Sequence, residues 1–244
     1  MRPLVPLGIG PNYCRRCYAR SEAPDTIPDD CWACPYWAEL DGVIPITYLT
    51  WTEPWRIGSD IYFTKSAPER THIPGIAAVF HRYLDLHGAD IWNAWGITHA
   101  TYVPAHADKV AARGFDLMST IIDRRPDNRD RLGFRPMIVQ LRADEQPSEN
   151  RRPRPQDWAL LDGIDVKGAR VVLTDDVITS GATTVGIARM LKEHGAEAVF
   201  TLAITRAVAR SKQADLIQDL STRPFEWDYC PVTATTTGLA RSTR

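Results

Sequence analysis

No stretch of this 244-residue chain is apolar enough to cross a membrane. The longest run without a charged side chain, Ile91–Ala107, contains Asn93, His99, Pro104 and His106, whereas a spanning helix needs about 20 predominantly apolar residues. A secretory leader is not expected either, because Pro3, Pro6 and Pro11 interrupt a very short apolar run and no small-residue cleavage site follows. The expected location is the cytoplasm, without membrane insertion. Excess charge of one sign is also lacking: 29 Lys and Arg face 30 Asp and Glu, for a formal net charge of −1. That balance argues against a surface coated in basic groups, though a local basic patch stays open. There is no repeat period, no Gly-x-Ser-x-Gly and no His-Glu-x-x-His, so the nucleophile elbow and the zincin helix are excluded. Gly181 and Gly186 have a P-loop interval, but Ile187-Ala188 stand where Lys-Ser/Thr is needed. Gly8-Ile9-Gly10 lacks the third glycine of a dinucleotide fingerprint. What remains, 44% hydrophobic and 24% charged with a mean hydropathy of −0.28, is the composition of a globular protein. The length suits one large domain, or a medium one with a small appendage.

Cysteine is scarce but patterned. Four of the five cysteines form Cys14-x2-Cys17 and Cys31-x2-Cys34, with 13 residues between the pairs. An odd count without a leader speaks against a disulfide framework. Two such pairs can present four thiolates tetrahedrally to one structural Zn²⁺. Metal binding of roughly 10–16 kcal/mol would then drive the folding of a segment too short for its own core. Redox thiols, reduced spectators or an iron–sulfur cluster are the alternatives. A ribbon of this kind either clips a domain or offers Arg15, Arg16 and Arg20 to phosphates. Tyr13, Tyr18, Trp32, Tyr36 and Trp37 either stack bases or pack the module, and packing is the preferred reading. Cys230 stands alone and reads as a small buried hydrophobe.

Beyond the ribbon, Val43–Trp51 reads as one or two short strands interrupted by Pro45. Pro74-Gly75 opens a helix whose Ile76, Phe80, Tyr83, Leu84 and His87 share a face, with Gly88 placed to end it. Ile97–Val103 reads as a strand, followed by a helix carrying Phe115, Met118, Ile121 and Ile122. Met137–Leu141 is a short strand and Arg142–Pro155 a polar loop. Strands at Arg170–Thr174 and Ala198–Ile204 flank a helix over Gly181–Glu193, in which Val185, Ile187, Ala188 and Leu191 face inward and Gly195 marks the stop. This alternation predicts an α/β fold, a mostly parallel sheet with helices on both faces. From Thr222 the pattern is lost, and the end of this segment, Thr-Ala-Thr-Thr-Thr-Gly at residues 233–238, is expected to be a loose tail. Arg124, Arg125, Arg129, Arg131 and Arg135 alternate with Asp123, Asp127 and Asp130 as a solvated connection, with nucleic-acid contact as the sharper alternative.

The most informative stretch is Val171–Thr184, VVLTDDVITSGATT. An apolar strand ends in two carboxylates, passes through a hydroxyl-rich turn with one glycine, and enters a helix. Ligands of open parallel sheets sit at the carboxyl ends of strands. Backbone N–H groups at a helix start suit a phosphate. Carboxylates accept hydrogen bonds and cannot donate them, so Asp175 and Asp176 should face hydroxyls or a cation. A ligand with vicinal hydroxyls close to a phosphate satisfies both halves, and ribose 5-phosphate is one. A surface turn capping a helix is the plain alternative.

Val171–Thr183 resembles the phosphoribosyl-diphosphate (PRPP) motif of type I phosphoribosyltransferases, with Thr174 where an aliphatic residue is usual. The order of four-cysteine ribbon, Val103-Pro104, Arg113-Gly114-Phe115 and this motif is similar to the ComF family, phosphoribosyltransferase-like proteins linked to DNA uptake in competent bacteria. The likeness runs over about residues 14–205. Asp116 replaces the family's usual Asn, and its basic loop is only loosely echoed by Gln146 and Arg151–Arg154.

The resemblance implies that Asp175 and Asp176 hold the ribose hydroxyls and, through water, Mg²⁺. It implies that Thr179, Ser180, Gly181, Ala182 and Thr183 cradle the 5-phosphate. Pro104 and Ala105 would bind diphosphate by their backbone, with Lys109 and Arg113 as charge partners; a solvated helix face is the plainer reading of those two. Arg151, Arg152 and Arg154 would lie on a mobile loop that closes over PRPP, or simply on a basic loop. His99 and His106 stay unassigned. The implied division is a zinc ribbon over 1–42, a hood and connection over 43–93, a phosphoribosyltransferase core over 94–222 and a tail over 223–244. The implied reaction moves ribose 5-phosphate from PRPP to a nitrogenous acceptor, in DNA uptake or nucleotide metabolism. The alternative is a non-catalytic PRPP or nucleotide binder that takes single-stranded DNA or a partner through its ribbon. A homodimer is the assembly common to the fold.

Overall fold

A computed structural model of the protein describes residues 39–49, 57–66, 70–140 and 153–207, together with Phe225, Trp227, Asp228, Cys230 and Val232. Cys14, Cys17, Cys31, Cys34, Arg151 and Arg152 lie outside the described residues.

Runs rich in valine, isoleucine and threonine form the strands. β1 (Gly42–Leu49), β2 (His99–Tyr102), β5 (Arg170–Ile178) and β6 (Ala198–Ala207) make one sheet in the order β1-β6-β5-β2, and every neighbouring pair is parallel. Pro45 interrupts nothing: β1 is continuous and Pro45 sits in register with Ala203. An edge strand is the place where a residue without an N–H is tolerated. β3 (Ile138–Gln140) and β4 (Trp158–Leu160) form a separate antiparallel ribbon. Between them lie residues 141–152, outside the described residues, and a 3₁₀ turn at Pro155–Asp157.

Because side chains alternate across a strand, β5 and β6 feed two cores. Val172, Leu202 and Ile204 face α2 (Ile73–Trp95) and α4 (Leu117–Asp123). Val171, Leu173, Val199 and Ala203 face α6 (Ala182–Glu193). Val185, Ile187, Ala188 and Leu191 of α6 are all completely buried, as the helical periodicity requires. Burying each such aliphatic side chain contributes about 1.5–3 kcal/mol, so both faces of the sheet are held mainly by hydrophobic contact.

Two expectations change. Gly88 does not end its helix. α2 continues to Trp95 and stops at Gly96, whose φ of 60° is the left-handed conformation glycine adopts most readily. Gly88 instead lets Leu132 pack close: a Cβ there would meet Leu132 Cδ1 at 3.4 Å. Second, the helix expected around Phe115 is two short ones, α3 (Ala107–Arg113) and α4, separated by Gly114 in a left-handed conformation and by Asp116, which caps α4. The loose tail expected at residues 233–238 lies outside the described residues, while residues before it are packed. His87 Nε2 lies 2.5 Å from the Trp227 carbonyl oxygen, Arg82 stacks over the Trp227 ring, and Cys230 is buried in the core on the α2 side.

The remaining helices are α1 (Ile57–Ser66) and α5 (Pro126–Leu132). Around α5, Arg125 pairs with Asp127 and Asp85, and Arg129 with Asp123 and Asp130, all at exposed positions. This is the solvated connection read from the charge alternation. Among the described residues, no helix is long and apolar enough to cross a membrane.

Candidate functional site

β2 stops at Tyr102, level with Thr174 on β5, while β5 runs on to Ile178. The overhang carries Asp175 and Asp176 past the end of the neighbouring strand. The backbone after β2 stays attached for one more residue, with Val103 N donating to Thr174 O at 2.9 Å. It then passes through Pro104, Ala105 and His106 into α3. Between this loop, the acids and α3 lies a cavity of about 440 Å³.

The two acids thus belong to the strand itself rather than to a loop after it. Asp176 is buried, and its carbonyl accepts from Thr205 Oγ1 on β6 at 3.1 Å. Asp175 Oδ1 accepts from the Asp176 N–H at 2.9 Å. Burial and the neighbouring Asp176 carboxylate push the Asp175 carboxyl well above the usual carboxylate range, with Lys65 and the Asp176 N–H opposing that shift.

The turn after β5 pivots on Gly181, whose φ of 76° makes glycine the fitting residue there. Gly181 O accepts from Val185 N at 2.8 Å and from Thr184 Oγ1 at 2.9 Å, which starts α6 tightly. Ser180 Oγ accepts from Ala182 N at 3.4 Å, Thr179 is exposed, and Thr183 lines the cavity. No acidic residue stands in the first turn of α6, so nothing local offsets the positive end of its dipole.

Of the sequence-derived site residues, Asp175, Asp176, Pro104, Ala105, Lys109, Arg113 and Thr183 line the same cavity. Thr179, Ser180, Gly181 and Ala182 form the adjoining turn. Arg154 does not line it. Its guanidinium pairs with Asp157 at 3.3 Å and its backbone packs against Gly186 of α6. His106 lines the cavity, and burial with the Lys109 charge lowers its pKa. His99 sits on β2 beside the Thr98 hydroxyl.

Sequence reasoning missed two polar members. Lys65, on α1, reaches the cavity and donates to Asp176 Oδ1 at 2.6 Å. Burial alone would lower its pKa, but the two aspartates outweigh that and raise it. No local pattern links residue 65 to a motif more than a hundred positions away. Asp116 was legible in principle, since a carboxylate directly before an apolar helical run is an N-cap signature. Its Oδ1 accepts from Ser119 N at 3.0 Å and its Oδ2 from Ala105 N at 2.6 Å. One side chain therefore caps α4 and pins the loop that lines the cavity.

Among the described residues, no group of three or more His, Cys, Asp or Glu is gathered to hold a metal ion. The site offers two adjacent carboxylates, three cations (Lys65, Lys109, Arg113) and the start of α6. That set suits a ligand with hydroxyls at one end and anionic groups at the other.

Comparison with known proteins agrees. The family of the phosphoribosyl transferase domain matches residues 133–233. A ribose-phosphate pyrophosphokinase of Bacillus cereus is 30% identical over an alignment covering 48% of this chain and 37% of that protein. One from a Marinomonas species is 31% identical, covering 46% of this chain and 42% of that protein. The chain thus spans about two-fifths of the length of these curated relatives. The parallel sheet with helices on both faces is consistent with the type I phosphoribosyltransferase fold. β5, its paired acids, the Gly181 turn and α6 all lie inside residues 133–233, the stretch that matches the phosphoribosyl transferase domain.

Proposed function

We propose that this protein is a phosphoribosyltransferase that uses PRPP and Mg²⁺ to transfer ribose 5-phosphate to a nitrogenous acceptor. The observation that carries the reading is one cavity lined together by Asp175, Asp176, Thr183 at the start of α6 and the Pro104–His106 loop. The domain match supports it, as does the likeness to proteins whose name places ribose phosphate at their centre. Membership of the ComF family, with a zinc ribbon on Cys14, Cys17, Cys31 and Cys34, is part of the same proposal.

In this reading Asp175 and Asp176 accept hydrogen bonds from the ribose hydroxyls, and the N–H groups and hydroxyls of residues 179–183 hold the 5-phosphate. The 104–106 backbone, Lys109 and Arg113 meet the diphosphate. The donor set fits Mg²⁺: a small hard cation is commonly held by one or two carboxylates and completed by water and substrate oxygens. Asp175 and Asp176 would hold it, and when bound it neutralises charge on the diphosphate. Breaking the anomeric C–O bond leaves an oxocarbenium-like sugar and a highly charged leaving group. Fixed cations and a held sugar lower that barrier by electrostatics and orientation. No protein nucleophile is needed.

The test is calorimetric titration of PRPP with Mg²⁺ into wild type and into Asp175→Asn/Asp176→Asn. The expected result is micromolar binding that the double variant loses. Consumption of radiolabelled PRPP against a panel of bases, amines and nucleic acids then identifies the acceptor. Binding without consumption would reduce the proposal to a PRPP-binding protein, and no binding by folded wild type would defeat it.

A further inference from the structure

Lys65 stands where an ion-pair partner was not expected, and its setting says what it does there. It belongs to α1, a helix seated by Ile61 and Thr64, both completely buried. Thr64 Oγ1 also donates to the Asp60 carbonyl at 2.7 Å, and Asp60 Oδ1 lies 3.0 Å from His72 Nδ1. The helix is therefore anchored on its inner face, while the Lys65 stem leaves it toward the cavity. The two partners differ in exposure: the Asp176 side chain is 7% exposed and the Lys65 side chain 38%. The carboxylate is thus part of the buried floor, and the ammonium reaches it on a more exposed four-carbon stem. One oxygen of each acid is already engaged, Asp175 Oδ1 by a backbone N–H and Asp176 Oδ1 by Lys65. Two adjacent carboxylates repel each other, and a neighbouring cation relieves that repulsion. A second cation arriving at Asp176 has to share the carboxylate with the ammonium or displace it.

We propose that Lys65 is a resident counter-ion of the acidic pair, holding Asp176 in place of a divalent cation and competing with that cation for the carboxylate. The ammonium is then a positioning residue for the proposed reaction. It keeps the floor of the cavity neutralised without a metal, and it sets the metal affinity lower than two bare carboxylates would give. The inference takes from the proposed function only that the pair meets a divalent cation.

Mn²⁺ alone, titrated at fixed pH into the full-length protein and followed by electron paramagnetic resonance, tests this without any sugar ligand. The Lys65→Met variant should bind Mn²⁺ about tenfold or more tightly than wild type. Lys65→Arg, which keeps the charge, should stay within about threefold of wild type. In an Asp176→Asn background the Lys65→Met gain should shrink, because the hydrogen-bonded carboxylate is gone and only Asp175 still attracts the ammonium. Equal or weaker Mn²⁺ binding by Lys65→Met, a gain left undiminished by Asp176→Asn, or no binding by either wild type or Lys65→Met each overturns the proposal. Circular dichroism on every variant keeps a folding defect from passing for a result. Titration of PRPP with Mg²⁺ into the same proteins separates the two ideas. A Mn²⁺ gain with no PRPP binding keeps the counter-ion and defeats the transferase reading. PRPP binding with no Mn²⁺ gain does the reverse.

Discussion

Asp116 offers the sharpest test of how the cavity is built, because one carboxylate does two separable jobs. Oδ1 caps α4 through Ser119 N, and Oδ2 accepts from Ala105 N at 2.6 Å in the loop that lines the cavity. Loss of an N-cap costs about 1 kcal/mol. A charge-assisted hydrogen bond to a backbone N–H contributes about 1.5–3 kcal/mol, and the lower end applies to this half-buried site. Asp116→Ala should therefore lose about 2.5 kcal/mol in all. Asp116→Asn keeps one acceptor oxygen, enough for the cap and not for the bridge, so it should lose about 1–1.5 kcal/mol. Urea unfolding followed by far-ultraviolet circular dichroism reads both numbers, as a lower midpoint at unchanged slope. Since the bridge holds Ala105, both variants should also weaken PRPP binding. A loss below about 0.5 kcal/mol for Asp116→Ala, or equal losses for the two variants, would refute the bridging account.

Three further outcomes rest on other parts of the chain. A Cβ on Gly186 would stand 3.0 Å from the Arg154 backbone nitrogen, so Gly186→Ala should destabilise by about 1–2 kcal/mol despite its helical gain. Gly75→Ala, with nothing within 4 Å, should instead stabilise by about 0.5–1 kcal/mol, and thermal melts of the two variants check the contrast. The raised Asp175 pKa means the folded state holds its proton more tightly than the unfolded chain does. That carboxyl lowers stability as pH rises above the ordinary carboxylate value. Asp175→Asn should therefore raise the melting temperature at pH 7, with the advantage fading as pH falls toward 4; a constant difference across that range would contradict the shift. Elemental analysis should find about one zinc per chain, lost in Cys14→Ser/Cys17→Ser, if the cysteine pairs form the ribbon proposed from their spacing.

What could be read directly from the chain is what depends on neighbours in sequence. The strand at Arg170, the acids, the turn and α6 follow one another within about twenty residues, and each is set by local rules: β-branched runs, a left-handed glycine, helical periodicity. The inward positions Val185, Ile187, Ala188 and Leu191 were readable for the same reason. So were the buried positions of α2, from Ile76 to His87.

Gly88 shows where local rules fail. A glycine near the end of an apolar pattern marks a helix stop on propensity alone, but α2 runs past it because Ile91, beyond the glycine, is completely buried, and Leu132 of α5 packs over Gly88 itself. That reason exists only once the two helices are packed. The continuity of β1 through Pro45 likewise depends on its being an edge strand, a fact of sheet order rather than of sequence. The chain by itself determined the paired acids, the glycine turn after them and the alternation of strand and helix, because short-range spacing dictates them. Only the tertiary structure brought Lys65 from α1 to Asp176 and Asp116 to Ala105. Charges far apart along a chain meet only where the packing of the sheet and its helices places them.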